Sequence, residues 1–347
     1  MFARYDKIEK GGIMANKFAI ETKKLTKSFG KFTAVDSLDL AIKEGELFGL
    51  LGPNGAGKTT TISMLSTILR PTSGSAKLCG FDIVKRQDAV RKCIGIVFQD
   101  PSLDDELTGR ENLDFHGRLY GISSEDRKKR IEEVLELVEL SDKARNLVKT
   151  YSGGMKRRLE IARGLMHHPK VLFLDEPTLG LDPQTRRRIW DYIERMSKEE
   201  NITIILTTHY IEEASRLCHR VAFIDKGKIV ALDSPRNLIN KVGGDSICIR
   251  LSKEDVDKLF PHLQKQGWVK KLRHVNSSLC FNVDRAEKII PKLISLSEKI
   301  RVKIDSVETH KPTLEDVFIH YTGRKIREEE ADEADRWRNV AMRGFRR

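Results

Sequence analysis

Gly52-Pro53-Asn54-Gly55-Ala56-Gly57-Lys58-Thr59 is the stretch on which the reading of this chain turns. An apolar run of strand length, Leu47 to Leu51, precedes it, and Ile62, Leu65, Ile68 and Leu69 follow at helical spacing over Thr60 to Arg70. A GxxxxGK[ST] pattern between a strand and a helix is a phosphate cradle. Its glycines allow backbone conformations and a close approach that a Cβ would obstruct, so successive N–H groups can point at phosphate oxygens. The helix N-terminus adds a partial positive charge. On this reading Gly52, Pro53, Asn54, Gly55, Ala56, Gly57, Lys58, Thr59 and Thr60 bind a nucleotide. Lys58 reaches the β and γ phosphates, and the Thr59 hydroxyl holds Mg²⁺.

Further along, the strand-like run Val171 to Leu174 delivers Asp175 and Glu176 at its end. A carboxylate there can hold Mg²⁺, and a second beside it can polarise an attacking water. Asp175 is assigned to the metal and Glu176 to the water. Strands at Phe18 to Thr22, Leu38 to Ile42, Leu47 to Leu51, Ile94 to Phe98 and Ile202 to Leu206 alternate with helices at Arg186 to Lys198 and Ile211 to Leu217. A hairpin over Val221 to Leu232 completes the unit. This order predicts an α/β fold with a mostly parallel sheet and extra β-structure on its N-terminal side. From Asp104 to His168 the pattern is helical almost throughout, which predicts an inserted helical subdomain over about 100–168.

Asp233-Ser234-Pro235 and Gly243-Gly244 weaken the pattern and set a boundary near 240. Beyond it the order βαββαβ predicts a small ferredoxin-like α+β domain over 241–322. A charged tail, 323–347, and an N-terminal extension, 1–16, flank a main domain over 17–240. Two domains also suit a chain of 347 residues.

Composition narrows the function class. With 33% charged, 39% hydrophobic and 7% aromatic residues the chain reads as globular rather than fibrous or disordered. No run approaches the ~18 apolar residues of a membrane span, so the chain is not itself a channel. Met1 to Lys17 has no apolar core of a signal peptide. Lys and Arg outnumber Asp and Glu by 63 to 51, which favours a polyanionic neighbour: nucleoside phosphates, nucleic acid or an anionic membrane surface. Cys79, Cys93, Cys218, Cys248 and Cys280 show no metal or disulfide spacing, so reduced thiols in a cytoplasm are expected. His167 and His168 likewise lack metal spacing and read as a loop.

Tyr151-Ser152-Gly153-Gly154-Met155-Lys156-Arg157-Arg158-Leu159 then supplies a family resemblance. It is similar to the LSGGQ signature of ABC (ATP-binding cassette) transporter ATPases, with Tyr151 and Met155 in place of the usual Leu and Gln. Ser152, Gly153 and Gly154 stand before a helical run, so their amides can form an anion nest for a γ-phosphate. Phe98 to Asp105, Tyr151 to Arg158, Glu176 to Gln184 and Lys311 to Phe318 more narrowly resemble the daunorubicin/doxorubicin-resistance type of ABC-2 exporter ATPase. The resemblance covers Lys17 to Arg236 strongly and the stretch to Gly323 less so.

It implies a P-loop NTPase cassette that binds ATP and Mg²⁺ and works as a homodimer with two nucleotides between the subunits. Ser152 to Gly154 would act on ATP held by the opposite subunit, and Asp182 in Gly180-Leu181-Asp182 would lie in the loop that crosses the interface. Phe29 falls where an aromatic stacks on adenine, with a core Phe as the other reading. Gln99 matches the loop glutamine that contacts Mg²⁺ or the attacking water, and His209, after Thr207-Thr208, matches the switch histidine on the γ-phosphate. The expected catalytic set is thus Glu176, His209, Gln99 and Lys58, and the metal set is Thr59, Gln99 and Asp175. The resemblance further implies a separate multispanning permease, drug or other amphiphile export, and a place on the inner face of the cell membrane. A soluble ATPase of the same family acting on nucleic acid or ribosomes is the alternative. One phosphate loop and no sustained heptad run weigh against it, so no nucleic-acid partner is expected.

Overall fold

Short continuous apolar runs, each closed by polar turn residues, give the central strands of this fold. The structure, a computed structural model, describes residues 18–98, 102–275 and 278–323. The expected N-terminal extension, Gln99 and the tail from Arg324 lie outside the described residues. In chain order the elements begin with strands β1 (Phe18–Phe29), β2 (Phe32–Lys43) and β3 (Leu47–Leu51), then helix α1 (Lys58–Leu65). There follow β4 (Ser73–Leu78), β5 (Phe81–Asp82), α2 (Gln87–Cys93) and β6 (Ile94–Val97). The helical block contains α3 (Gly109–Leu119), α4 (Ser124–Leu137) and α5 (Gly153–Leu165). Next come β7 (Val171–Asp175), α6 (Pro183–Glu199), β8 (Thr203–Thr208), α7 (Ile211–Leu217), β9 (Arg220–Asp225) and β10 (Lys228–Asp233).

The sheet order β10-β9-β3-β8-β7-β6 puts the two site-bearing strands, β3 and β7, on either side of β8. Its β3/β8, β3/β9, β7/β8 and β6/β7 pairs are parallel. Every residue of β3, β7 and β8 is buried, as a sheet covered on both faces requires. A second sheet, β2-β1-β4-β5, is antiparallel through its pairs and supplies the expected N-terminal β-structure. In three places the structure departs from the sequence expectation. The helix read over Thr60 to Arg70 is α1, Lys58–Leu65, and Thr67 beyond it has φ 67°, outside helical space. The β1 strand runs on through Leu25 to Phe29, and β4, β5 and α2 occupy a stretch without a strong period. The helical block is as expected, opened by a Thr108/Glu111 capping box that ties off the first turn of α3.

Contacts divide the chain at 230/231, ten residues before the boundary read from Gly243-Gly244. Helix α8 (Pro235–Val242), capped by the Ser234 hydroxyl, packs against α11 (Leu314–Thr322), so it belongs with the C-terminal unit. Between them lie β11 (Asp245–Arg250), α9 (Lys253–Gln264), β12 (Lys270–Val275), β13 (Ser278–Val283), α10 (Ala286–Lys299) and β14 (Ser306–His310). The sheet β12-β13-β11-β14 is antiparallel throughout, with the expected βαββαβ order. Ile247, Ile249, Leu279, Phe281, Leu259 and Leu293 form its core. Alternation turns Cys248 and Cys280 away from that core, and their register sets them opposite each other, where they form a disulfide. This corrects the expectation of five reduced thiols. The partners are 32 residues apart, so only the strand register brings them together.

Candidate functional site

The phosphate loop leaves β3 at Leu51 and enters α1 at Lys58. Gly57, the residue before the helix, has φ 106°, and a Cβ there would lie 2.5 Å from the Ala34 carbonyl oxygen. Gly52 is held harder: a Cβ would meet Ile224 O at 2.2 Å. Both positions require glycine, which explains the motif spacing in steric terms. Asn54 and Gly55 are exposed at the tip of the loop, while Pro53, Ala56 and Lys58 are buried and Thr60 is half-buried.

Lys58, only 5% exposed, donates from Nζ to Gly52 O at 2.7 Å and Pro53 O at 3.0 Å, so its ammonium is folded over the loop. The same Nζ lies 3.9 Å from Glu176 Oε1, and His209 Nδ1 lies 3.3 Å from Glu176 Oε2. One carboxylate thus sits between a lysine from α1 and a histidine from the end of β8. Burial opposes its ionisation, but His209, Lys58 and Arg157 outweigh burial and hold the Glu176 carboxyl below its ordinary pKa. Glu176 also has φ 48°, a left-handed conformation uncommon outside glycine. Its backbone N–H donates toward Thr207 O and Thr207 Oγ1, both at 3.1 Å.

A second cluster lies beside the first. Thr59 Oγ1 donates to Asp175 Oδ2 at 3.2 Å, and the Thr207 hydroxyl donates to Asp175 Oδ1. A hydroxyl and a carboxylate at one point are hard oxygen donors of the kind that suit Mg²⁺. The residues expected from the sequence as metal and water ligands, Thr59, Asp175 and Glu176, therefore converge with Lys58 and His209.

The remaining candidates lie elsewhere on the cassette. Ser152 caps α5, its hydroxyl accepting from Met155 N at 3.3 Å, and Ser152 and Gly153 are exposed. A Cβ on Gly154 would meet Thr185 at 2.4 Å, so the start of α5 packs on the start of α6 rather than on the phosphate loop. Asp182 caps α6 by accepting from Gln184 N and Thr185 N, both at 3.0 Å, and remains exposed. Phe29 is 48% exposed and Phe32 beside it 63%, so the core reading of Phe29 is set aside; Lys27 Nζ lies over the Phe29 ring at 5.0 Å from its centroid. His167 and His168 lie in a turn: His167 Nε2 bonds Ile94 O at 2.7 Å and its ring stacks on Tyr120.

Two residues escape a motif reading. Thr207 orients Asp175 and the Glu176 backbone together. Arg157, 6% exposed, donates Nε to Pro177 O at 2.7 Å, Nη2 to Asp175 O at 2.9 Å and Nη1 to Phe98 O. It clamps α5 to the segment that carries Asp175 and Glu176. The basic run Lys156 to Arg158 within the signature is engaged inside the fold. Lys156 pairs with Asp105 at 2.7 Å, and Arg158 donates to Val138 O at 3.0 Å. Tyr151, where the signature usually has Leu, is buried and donates its hydroxyl to Lys143 O at 2.7 Å.

Comparison with known proteins agrees with this geometry. The ABC transporter family profile matches residues 35–179. The linearmycin resistance ATP-binding protein of Bacillus subtilis is 38% identical over 317 residues, covering 89% of this chain and 100% of that protein. The daunorubicin/doxorubicin resistance ATP-binding protein of Streptomyces peucetius is 38% identical, covering 93% and 98%. The Nod factor export ATP-binding protein I of Paraburkholderia xenovorans is 40% identical, covering 89% and 99%. Among solved structures, a dimeric ATP-binding cassette bound to ADP and Pi superimposes with TM-score 0.56 at 29% identity over 62% of this chain and 98% of that one. The cbiO1 protein of Clostridium perfringens, part of an ABC transporter complex, gives TM-score 0.61 at 29% identity over 72% and 97%. With Lys58, Thr59, Asp175, Glu176 and His209 gathered at the ends of the central strands, the chain belongs to the ABC transporter family as one of its ATP-binding, ATP-hydrolysing subunits.

Proposed function

We propose that two copies of this chain close on two ATP molecules and drive a separate membrane permease that exports drugs or other amphiphiles. The observation that carries the catalytic part is the Glu176 carboxylate set between Lys58 and His209, next to the Thr59–Asp175 pair. Glu176, kept ionised, polarises the attacking water. Lys58 moves from the loop carbonyls onto the β and γ phosphates, and His209 bonds the γ-phosphate. Thr59 and Asp175, with Gln99, would hold Mg²⁺, which supplies charge neutralisation on the phosphates. Phe29 stacks on adenine, and Ser152, Gly153, Gly154 and Asp182 face the nucleotide of the other subunit.

The exporter reading is supported by relatives named for linearmycin resistance, daunorubicin/doxorubicin resistance and Nod factor export, matched over nearly their whole lengths. No helix among the described residues is long and apolar enough to cross a membrane, so coupling is assigned to a partner at the inner face of the membrane. The test is Glu176→Gln. Mant-ATP affinity should stay within threefold, turnover should fall by at least about 100-fold, and ATP should trap a dimer on size exclusion. In a host sensitive to amphiphilic antibiotics, resistance conferred together with the permease should disappear in the same variant. Turnover or resistance that survives the substitution would remove Glu176 from this role.

A further inference from the structure

Beyond the motif residues, two carboxyls among the described residues of the cassette are 0% exposed: Glu160, which pairs with Arg163 at 3.1 Å, and Glu213. Glu213 is the third residue of α7. Its Oε1 accepts from Thr178 Oγ1 at 2.9 Å and from Trp190 Nε1 at 2.8 Å. The carboxyl lies beside the Thr208 hydroxyl, and Oε2 makes no well-formed hydrogen bond. Thr178, Thr208 and Trp190 are themselves 0%, 1% and 2% exposed, so no solvent reaches the cluster.

The sequence positions of these partners give the cluster its meaning. Thr178 stands two residues after Glu176, in the turn closed by Leu179 N to Glu176 O at 3.2 Å and Leu181 N to Thr178 O at 3.3 Å. Thr208 immediately precedes His209. Trp190 lies on α6, whose first turn is capped by Asp182. A single carboxyl, on the helix that begins two residues after His209, therefore ties the loop that carries Glu176 to α6 and to α7. Leaving a carboxyl in such a place opposes its ionisation: burial pushes its pKa up, against Thr208, Thr178, Trp190 and Arg186. Well-packed apolar side chains stabilise a core at least as well as a buried ionisable group, so stability alone gives no reason for glutamate here.

We infer that Glu213 is a positioning residue for ATP hydrolysis: from α7, which begins two residues after His209, it fixes the Glu176 loop relative to His209 by accepting from Thr178 and Trp190 at one oxygen. It acts through the loop that carries Glu176 and through α7. A misplacement of about 1 Å at reacting groups costs on the order of 100-fold in rate, so its loss falls on turnover. Nucleotide binding, carried by Gly52 to Thr60, is untouched.

The inference rests on the ATPase reading, for which the parent chain and Glu176→Gln are the controls: turnover that Glu176→Gln leaves intact breaks that reading, whatever Glu213 does. In the full-length protein, turnover is measured per mant-ATP-binding-competent molecule, so a loss of folded protein cannot pass for a loss of rate. Glu213→Ala should lower kcat about 30-fold or more, with KM and mant-ATP affinity within twofold. Glu213→Gln keeps the accepting oxygen and should retain at least a third of the parent kcat. Thr178→Val and Trp190→Phe each remove one donor while keeping the core filled, which covers the case in which Glu213→Ala does not fold. Each should lower kcat about tenfold at unchanged KM, and the double variant should lose far less than the product of the two, because both act through one oxygen. Unchanged kcat in Glu213→Ala, a loss carried by KM, a Gln variant as impaired as the Ala variant, or multiplicative losses in the Thr178/Trp190 pair would each overturn it.

Discussion

Replacing Arg157 with Met should be the most costly single change among the basic residues of α5. The guanidinium is nearly enclosed and meets three backbone carbonyls, those of Pro177, Asp175 and Phe98. Met fills most of the same volume, so the cavity contribution is small and the cost falls on the carbonyls left without a donor. A hydrogen bond from a charged donor contributes about 1.5–3 kcal/mol, which puts the gross loss for three at roughly 4.5–9 kcal/mol. Against this stands the cost of burying the cation, which disappears with it. That cost is visible in the direction of its pKa: burial pulls Arg157 below its ordinary value, although Glu160, Asp175, Glu213 and Glu176 all act the other way. Breaking one side of a buried charged network typically costs ~3–5 kcal/mol net, and about 4 kcal/mol is expected here. With m near 3 kcal/mol per M in urea, the midpoint of cassette unfolding should fall by about 1.3 M. Urea melts of parent and variant, followed by far-UV circular dichroism, measure this directly. A shift under about 0.3 M would mean that the three carbonyls find other partners and that Arg157 is not the clamp described.

Lys58→Ala should weaken ATP binding by about 10- to 100-fold, because it removes the one buried cation placed to leave Gly52 O and Pro53 O for phosphate; unchanged mant-ATP affinity would refute the loop assignment. Cys93 should alkylate with iodoacetamide at pH 7.5 at least tenfold faster than Cys218. The Cys79 thiol, with help from Lys170, brings Cys93 down to about 7 against its partial burial, whereas full burial pushes Cys218 well up. Equal labelling of the two in a peptide map would show that the Cys79–Cys93 contact does not form.

Much of this fold was legible because its central strands are covered on both faces. Leu47–Leu51 and Val171–Asp175 read as unbroken apolar runs with polar residues at their ends, a pattern that survives without any alignment. The strands that escaped notice have the opposite character. β4, Ser73–Leu78, buries only Ala76 and Leu78, and β5 has two residues, so neither gives a period to detect. The ten residues between the boundary expected near 240, from Asp233-Ser234-Pro235 and Gly243-Gly244, and the division of contacts at 230/231 have a similar cause. Glycines mark where the backbone turns, but whether α8 belongs before or after the break depends on its packing against α11, more than seventy residues away in sequence. The Cys248–Cys280 bond is hidden in the same way, since it follows from strand register alone.

The site divides along a different line. Residues whose backbone must approach phosphate are fixed in type by sterics: at Gly52 and Gly57 a Cβ collides with carbonyl oxygen, so the spacing itself is a signature. Asp175 and Glu176 are legible for a related reason, standing where a buried strand stops. Arg157, Thr207 and Glu213 carry no comparable mark, because their work is done on backbone and side chains brought together only by folding. Arg157 illustrates the point within the signature itself. Read as a string, Lys156-Arg157-Arg158 is a patch of positive charge beside a nucleotide interface. On α5 the three side chains diverge: Lys156 goes to Asp105, Arg157 into the core and Arg158 to the end of α4. Arg157 and Arg158 thus direct their donors at neutral carbonyls inside the fold, whereas the Lys156–Asp105 pair removes one charge of each sign and leaves the excess of basic over acidic residues, 63 to 51, unchanged.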